Sequence, residues 1–208
     1  MPMDWFFFID ISGVVIVAVT GCLAAARKSL DLFGAVLFAV LTGIGGGTLR
    51  DLLLDLPVFW IQKPVYVIAA AISGLITFVW MRYSRVPHGT LRTADALALG
   101  FYTIIGTEKA LQVGAQPVIA AMMGLATGVA GGAIRDLLAA ETPMILRREI
   151  YATASLLGAT LLVGLDSMAV EKLWSWPAAF LVIVGLRLAA LRWGLSLPSA
   201  LEKHGSQS

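Results

Sequence analysis

Two glycine-rich segments, each running into an arginine and an aspartate, hold the residues in this sequence that could do chemistry. The first reads TGIGGGTLRDLL from Thr42, and the second reads TGVAGGAIRDLL from Thr127. Both lie inside long apolar stretches, where a charged side chain costs about 3 kcal/mol or more unless it is paired or hydrated. Charges kept at that cost mark ion or solute paths through membrane proteins. The segments therefore predict a polar path rather than a catalytic centre.

The glycines of these segments predict either a helix break or a close helix contact. They are Gly43, Gly45, Gly46 and Gly47 in the first segment, and Gly128, Gly131 and Gly132 in the second. Each glycine inside a helix costs about 1 kcal/mol relative to alanine, so a run of glycines favours a break near mid-span. A break would offer carbonyls to a cation and N–H groups to an anion. The Gly-x-x-x-Gly spacing is also typical of tight packing, and packing without a break stays open as the alternative.

The two Arg-Asp pairs are expected in the first turn after each break. Sequence neighbours point to different faces of a helix, so we predict that each charge takes a partner from another helix. The predicted partners are Asp136 or Asp95 for Arg50, and Asp51 or Asp10 for Arg135. A purely structural clamp at each pair is the alternative interpretation.

Other polar residues inside apolar stretches are candidates for the same path. Thr42, Thr127, Asp10 and Asp95 are predicted to line it, although back-bonding threonines and structural acids would look alike in the sequence. Glu108 and Lys109 are candidate gate residues near a span end, and the alternative is that they reach toward the membrane interface. Arg187 is interpreted as an arginine that reaches toward the inner leaflet, and the alternatives are that it binds a lipid headgroup or pairs with an acid.

Several other functions find no support in the sequence. No phosphate-binding loop, nucleophile elbow or zinc motif is present, so we expect no catalytic residue, no metal site and no cofactor. The single cysteine, Cys22, lies in an apolar run and is interpreted as a packing residue. The basic residues form no patch, which argues against a nucleic-acid partner. The expected ligands are a permeant potassium or sodium ion and membrane lipid.

The composition places the elements that position these residues in a membrane. Of the 208 residues, 59% are hydrophobic and 13% are charged, whereas soluble domains carry about 25% charged residues. Seven apolar stretches are long enough for a hydrocarbon core of roughly 30 Å. The predicted spans are 5–26, 30–56, 64–82, 92–112, 115–140, 148–166 and 175–195. We predict one membrane domain over residues 1–208, with a disordered tail at 198–208.

The basic residues of the connections predict the orientation in the membrane. One side would hold nine lysines and arginines and the other two, and the richer side is expected in the cytoplasm. The N-terminus would then be outside and the C-terminus cytoplasmic. Asp4 stands where a secretory signal would be basic, so the first span is interpreted as retained.

An internal repeat organises the spans. The two glycine-rich segments align without gaps at an offset of 85 residues, and the same offset pairs Asp10 with Asp95 and Tyr66 with Tyr151. Residues of about 5–82 and 92–166 are therefore predicted to be two copies of a three-helix unit. Because three is odd, the second copy would enter the membrane from the opposite side, as in many transporters. The helix at about 175–195 lies outside the repeat.

These motifs resemble the bacterial family of trimeric intracellular cation (TRIC) channel homologues. The similarity covers about residues 8–195 and rests on GIGGGTLRDLL with PVFWI after it, and on GVAGGAIRDLLAAETPMILRREIYATA. It implies an all-α membrane fold of seven transmembrane helices, with two inverted three-helix repeats plus a seventh helix and with spans 2 and 5 kinked at their glycines. It also implies a homotrimer in the bacterial inner membrane, with one potassium-preferring pore per protomer near the two Arg-Asp pairs. Glycine transport, which has been assigned to some bacterial relatives, is the alternative function.

Overall fold

Helices make up the regular secondary structure of the described part of the chain. The computed structural model describes residues 4–84, 86–87, 89–147 and 149–196, so the predicted tail at 198–208 lies outside it. These residues form eight α-helices, one 3-10 turn and no β-strand. The helices are α1 (Asp4–Arg27), α2 (Leu32–Leu53), α3 (Phe59–Gln62), α4 (Val65–Tyr83), α5 (Thr90–Gln112), α6 (Pro117–Leu138), α7 (Ala152–Ser167) and α8 (Lys172–Trp193), with the turn at Met144–Leu146.

Five of these helices, α1, α2, α4, α6 and α8, are long and apolar enough to cross a membrane. The chain is therefore a membrane protein, as its composition predicts. Helix α5 is 23 residues long but carries several charged residues, and α7 is apolar but only 16 residues long. Helix α7 begins four residues after the start of the predicted span, because the segment before it is used by the 3-10 turn and its linker. The count of seven spans stays a prediction.

The two repeat units have the same order of elements. Each consists of two long helices, a short turn and a third helix, and the short turns begin at Phe59 and Met144, which are 85 residues apart. Helices α1, α2 and α4 pack against one another, as do α5, α6 and α7. Helices α2 and α6 join the two units at the centre, and α8 packs mainly against α5 and α7.

The predicted helix breaks are not found. Helix α2 runs continuously from Leu32 to Leu53 and α6 from Pro117 to Leu138, with the glycines inside both. A methyl group on Gly46 would lie 2.7 Å from the Thr127 carbonyl oxygen, and one on Gly131 would lie 3.2 Å from the Thr42 carbonyl oxygen. The helices thus cross backbone against backbone, and this close approach offsets the intrinsic cost of the glycines. The packing alternative accounts for the motif, and a bend of the helix axes stays a prediction.

The threonines at the crossing are bonded within their own helices. The Thr42 hydroxyl donates to the Phe38 carbonyl at 2.7 Å, and the Thr127 hydroxyl donates to the Met123 carbonyl at 2.6 Å. The neighbouring glycines also meet side chains closely, since a methyl on Gly47 would lie 2.6 Å from the Phe59 ring. The sequence segment TGxxGG is therefore a packing surface over its whole length.

We expect that Gly46→Ala lowers the stability of the protein. The added methyl meets a backbone carbonyl of α6, which cannot move aside as a side chain does, and overpacking of this kind costs about 1–3 kcal/mol. Thermal unfolding of the purified protein in detergent measures the effect. Gly185→Ala in α8 is the matched control, because a methyl there meets nothing within 4 Å. A Gly46→Ala protein as stable as this control would contradict the crossing described here.

Candidate functional site: two buried ion clusters

The first Arg-Asp pair forms a cluster with charges from α1 and α5. Arg50 Nε donates to Asp51 Oδ1 at 2.8 Å, and Lys109 Nζ donates to the same oxygen at 2.9 Å. Arg50 Nη1 lies 3.8 Å from Asp10 Oδ1. Arg50 and Asp51 are fully buried, whereas the Lys109 side chain is 21% exposed. We call Asp10, Arg50, Asp51 and Lys109 the first cluster.

The second Arg-Asp pair forms an equivalent cluster with tighter contacts. Arg135 Nε donates to Asp136 Oδ1 at 2.9 Å, and Arg135 Nη1 donates to Asp95 Oδ1 at 2.6 Å. The same Nη1 atom lies 3.1 Å from the Thr20 hydroxyl of α1. We call Thr20, Asp95, Arg135 and Asp136 the second cluster.

The predicted pairing of charges between the two units is wrong. Each arginine pairs with the aspartate beside it in sequence and with the aspartate of the preceding long helix in its own unit. The arginine side chain is long enough to fold back to its neighbour, which the rule about helix faces does not take into account. The contacts between units in these clusters are instead Lys109 with Asp51 and Thr20 with Arg135.

The order of these contacts shows that the two units run in opposite directions. Along α1, Asp10 lies at the first cluster and Thr20 lies at the second. Along α5, Asp95 lies at the second cluster and Lys109 lies at the first. Equivalent helices of the two units are therefore antiparallel.

Each aspartate of the Arg-Asp pairs also caps the short turn that follows its helix. Asp51 Oδ2 accepts the Phe59 backbone N–H at 2.9 Å, and Asp136 Oδ2 accepts the Met144 backbone N–H at 2.8 Å. The pairs lie at the ends of α2 and α6, so their expected place in the first turn of a half-helix is wrong. Each carboxylate nevertheless accepts a backbone N–H at the start of a turn, which is the kind of contact that the prediction expected at the start of a half-helix.

Three polar atoms of the first cluster lack a hydrogen-bond partner, whereas the equivalent atoms of Arg135 and Asp95 in the second cluster have one. Arg50 Nη1, Arg50 Nη2 and Asp10 Oδ1 are buried without a hydrogen-bond partner among the described residues. The offset of 85 pairs Thr20, which contacts Arg135, with the apolar Ile105, so no hydroxyl reaches Arg50 from the equivalent place. Buried donors and acceptors without partners cost about 1–3 kcal/mol each, and water or a solute that reached them would relieve that cost.

The two candidate gate residues have different environments. Lys109 belongs to the first cluster, as its contact with Asp51 shows. Glu108 is buried and accepts from Gln112 Nε2 at 2.9 Å and from Lys172, with Trp176 Nε1 at 3.3 Å. The charge of Glu108 is therefore matched by α8, and its position near the membrane interface stays a prediction.

Arg187 pairs with an acid, which was an alternative to the predicted reach toward the inner leaflet, and its contact with the second cluster was not predicted. It is fully buried, pairs with Glu149 and lies 3.3 Å from the Ile150 carbonyl. Its Nη2 lies 3.9 Å from Met144 Sδ, an atom that is also 3.8 Å from Arg135 Nη2. The spacing of Ile183, Arg187 and Ala190 along one face of α8 was the signal, since the apolar members of that face are buried.

Comparison with known proteins supports the repeat independently. The family model described as "Glycine transporter" matches residues 7–82 and again 92–167. The two matches are displaced by 85 residues, the offset at which the two glycine-rich segments align.

Bacterial membrane proteins resemble the whole chain. The UPF0126 inner membrane protein YadS of Escherichia coli K12 is 40% identical over 96% of this chain and 98% of that protein. A UPF0126 membrane protein of Vibrio cholerae is 39% identical over 93% of this chain and 82% of its own length.

Solved structures share the fold. The TRIC trimeric intracellular cation channel orthologue from Rhodobacter sphaeroides has a TM-score of 0.87 and 44% identity, covering 91% of this chain and 98% of that chain. A second TRIC cation channel has a TM-score of 0.83 and 31% identity, covering 96% and 97% of the two chains.

We expect that Arg187→Met destabilises the protein by about 3 kcal/mol. The change removes the partner of a largely buried Glu149 and one contact of Met144, and breaking a buried pair from one side is strongly destabilising. Thermal unfolding in detergent measures it against Arg192→Met, which changes an exposed arginine in the last turn of the same helix. Equal melting temperatures for the two variants would contradict the role assigned to Arg187.

Proposed function

We propose that this chain, which belongs to the family described by the glycine-transporter model and to the bacterial TRIC channel homologues, is a channel for monovalent cations that prefers potassium. The path would run within each protomer, past the two buried clusters on either side of the α2–α6 crossing. Arg50, Asp51, Arg135, Asp136, Asp10 and Asp95 would lie along it.

The single observation that supports this proposal best is the contact between Lys109 and Asp51. A primary ammonium, which is a monovalent cation, lies 2.9 Å from a carboxylate oxygen in an otherwise buried cluster. Rings or clusters of carboxylates are the usual means by which proteins attract cations into a narrow path. A carboxylate that holds a tethered ammonium would also attract a free potassium ion.

The same contact supports a gating role for Lys109. While its ammonium lies on Asp51, a permeant cation would meet a like charge there, so we propose that conduction requires Lys109 to move away. Its partial exposure gives the side chain room to do so. Glu108, bound by Lys172 and Gln112, would hold the same end of α5 against α8 and would act on the gate indirectly.

The membrane arrangement is part of the proposal. Seven helices would cross the bacterial inner membrane, with α5 largely shielded from lipid by its neighbours. The N-terminus would be outside and the C-terminus cytoplasmic, and three copies would assemble into a homotrimer. The similarity to a protein named as a trimeric channel and to proteins named as inner membrane proteins supports the trimer and the membrane, and the excess of lysine and arginine on one side supports the orientation. A bend of α2 and α6 at Gly43, Gly45–Gly47, Gly128 and Gly131–Gly132 would accompany opening.

Glycine transport is the second candidate function. The description of the matched family model favours it. Each cluster also presents a guanidinium and a carboxylate within a few ångströms, which suits a zwitterion, and inverted repeats commonly serve alternating access.

We expect that the purified protein in liposomes conducts potassium, and that this flux does not saturate with potassium concentration as the flux through a carrier does. Unitary potassium currents in a planar bilayer and uptake of labelled glycine into liposomes are measured on the same preparation. Saturable glycine uptake without current would replace the channel proposal by the transporter.

Asp51→Asn with Asp136→Asn should lower potassium conductance, because both carboxylate charges are lost while the side-chain size is kept.

We expect that Lys109→Met raises the open probability of the channel. The substitution keeps the length of the side chain and removes the ammonium from Asp51, so the blocking charge is gone. Single-channel recording measures the change, and a several-fold increase is expected. Lys63→Met is the control, since Lys63 is an exposed lysine outside the cluster. An unchanged open probability in Lys109→Met would contradict the gating role.

A further inference from the structure

Three buried polar atoms of the first cluster lie around a gap between α1 and α2. Arg50 Nη1 is 3.8 Å from Asp10 Oδ1, which is too long for a hydrogen bond. These two atoms and Arg50 Nη2 have no hydrogen-bond partner among the described residues. In the second cluster the equivalent atoms, Arg135 Nη1 and Asp95 Oδ1, lie 2.6 Å apart and are directly bonded. The first cluster is therefore wider at the same contact.

The hydroxyl that supports the arginine of the second cluster has no counterpart in the first. Thr20 is fully buried, and its hydroxyl oxygen lies 3.1 Å from Arg135 Nη1. The offset of 85 relates Thr20 to Ile105, which is also fully buried. Ile105 packs against α1 one turn from Asp10, since a methyl group on Gly13 would lie 3.6 Å from Ile105 Cδ1. A hydrocarbon side chain accepts no N–H, so the guanidinium of the first cluster needs another acceptor.

The charges of the first cluster favour a neutral occupant of this gap. Its two carboxylates, Asp10 and Asp51, balance one guanidinium and one ammonium. A free cation would meet Arg50 and Lys109, and a free anion would meet both carboxylates. The occupant must accept from the guanidinium N–H groups and donate to the Asp10 carboxylate. Water does both, and a buried water makes about three hydrogen bonds to groups that otherwise lack partners, which matches the three atoms here.

We propose that the first cluster contains a binding site for one internal water molecule, which bridges Arg50 and Asp10 and takes the role that the Thr20 hydroxyl has in the second cluster. A water that bridges two polar groups is nearly as favourable in enthalpy as a direct hydrogen bond. The Lys109 side chain, which is 21% exposed, connects the cluster to solvent, so the water can exchange there.

The water gives the two arginines different freedom to move. Arg135 binds Asp95 directly and contacts a hydroxyl that is itself fixed, because Thr20 donates to the Val17 carbonyl at 2.7 Å. Arg50 reaches Asp10 through an exchangeable molecule instead. The distance between these two charges can therefore change without leaving either of them unsolvated.

Crystal structures of the full-length protein, at a resolution that shows ordered water, test the site. In the native protein a water peak is expected within hydrogen-bond distance of both Arg50 Nη1 and Asp10 Oδ1. In Ile105→Thr the peak should be lost, and the new hydroxyl should contact Arg50 as Thr20 contacts Arg135. Ile105→Val is the matched control, because valine has the shape of threonine without the hydroxyl, and this variant should keep the water.

The native structure decides the site even if neither variant folds. A native protein without a peak between the two side chains, or with Arg50 and Asp10 in direct contact, would overturn the water site. A water that persists in Ile105→Thr, or that is lost from both variants, would overturn its equivalence to the Thr20 hydroxyl. None of these measurements involves ion flux, so the result is independent of whether the protein conducts potassium.

Discussion

The structure depends on how two buried guanidinium groups are neutralised. A buried arginine in a membrane protein destabilises the fold unless its charge and its N–H groups have partners. Arg50 and Arg135 each pair with the aspartate that follows them in the chain. The same aspartates accept the backbone N–H groups of Phe59 and Met144. One carboxylate thus joins the end of a long helix to the turn after it, so the ion pair and the chain direction are set together.

The glycine crossing places these clusters relative to each other. Helices α2 and α6 approach so closely at Gly46 and Gly131 that their backbones are in contact. Because the helices end at opposite clusters, the crossing separates one Arg-Asp pair from the other. A chain that lacked the crossing would lose the two-ended arrangement even if each pair stayed intact. The glycines and the charged pairs therefore form one motif in structure as they do in sequence.

The sequence predicted the repeat, the membrane class and the charged residues of both clusters, because these follow from an exact offset and from charges in apolar surroundings. It did not predict which charges pair. Helix-face rules compare positions on a cylinder, and they omit the reach of a side chain as long as that of Arg50. The predicted break failed for a related reason, since helix propensity counts the cost of a glycine but not the contact that the missing side chain permits. Thr20 gave no signal, because a single threonine in an apolar helix is ordinary.

The differences between the two repeat units distinguish one end of the proposed path from the other. Two identical inverted units would present the same cluster at both ends of a path, and a solute would meet the same charges from either side. Under the offset of 85, Lys109 corresponds to Ala24, and Ile105 corresponds to Thr20. One end therefore has a tethered ammonium and an under-bonded arginine, and the other has a cavity and a fully bonded arginine. Arg187 adds to this difference, because α8 supports the second cluster and packs mainly against α5 and α7. The duplicated fold thus supplies two equivalent sites, and a few substitutions give each end its own electrostatic character.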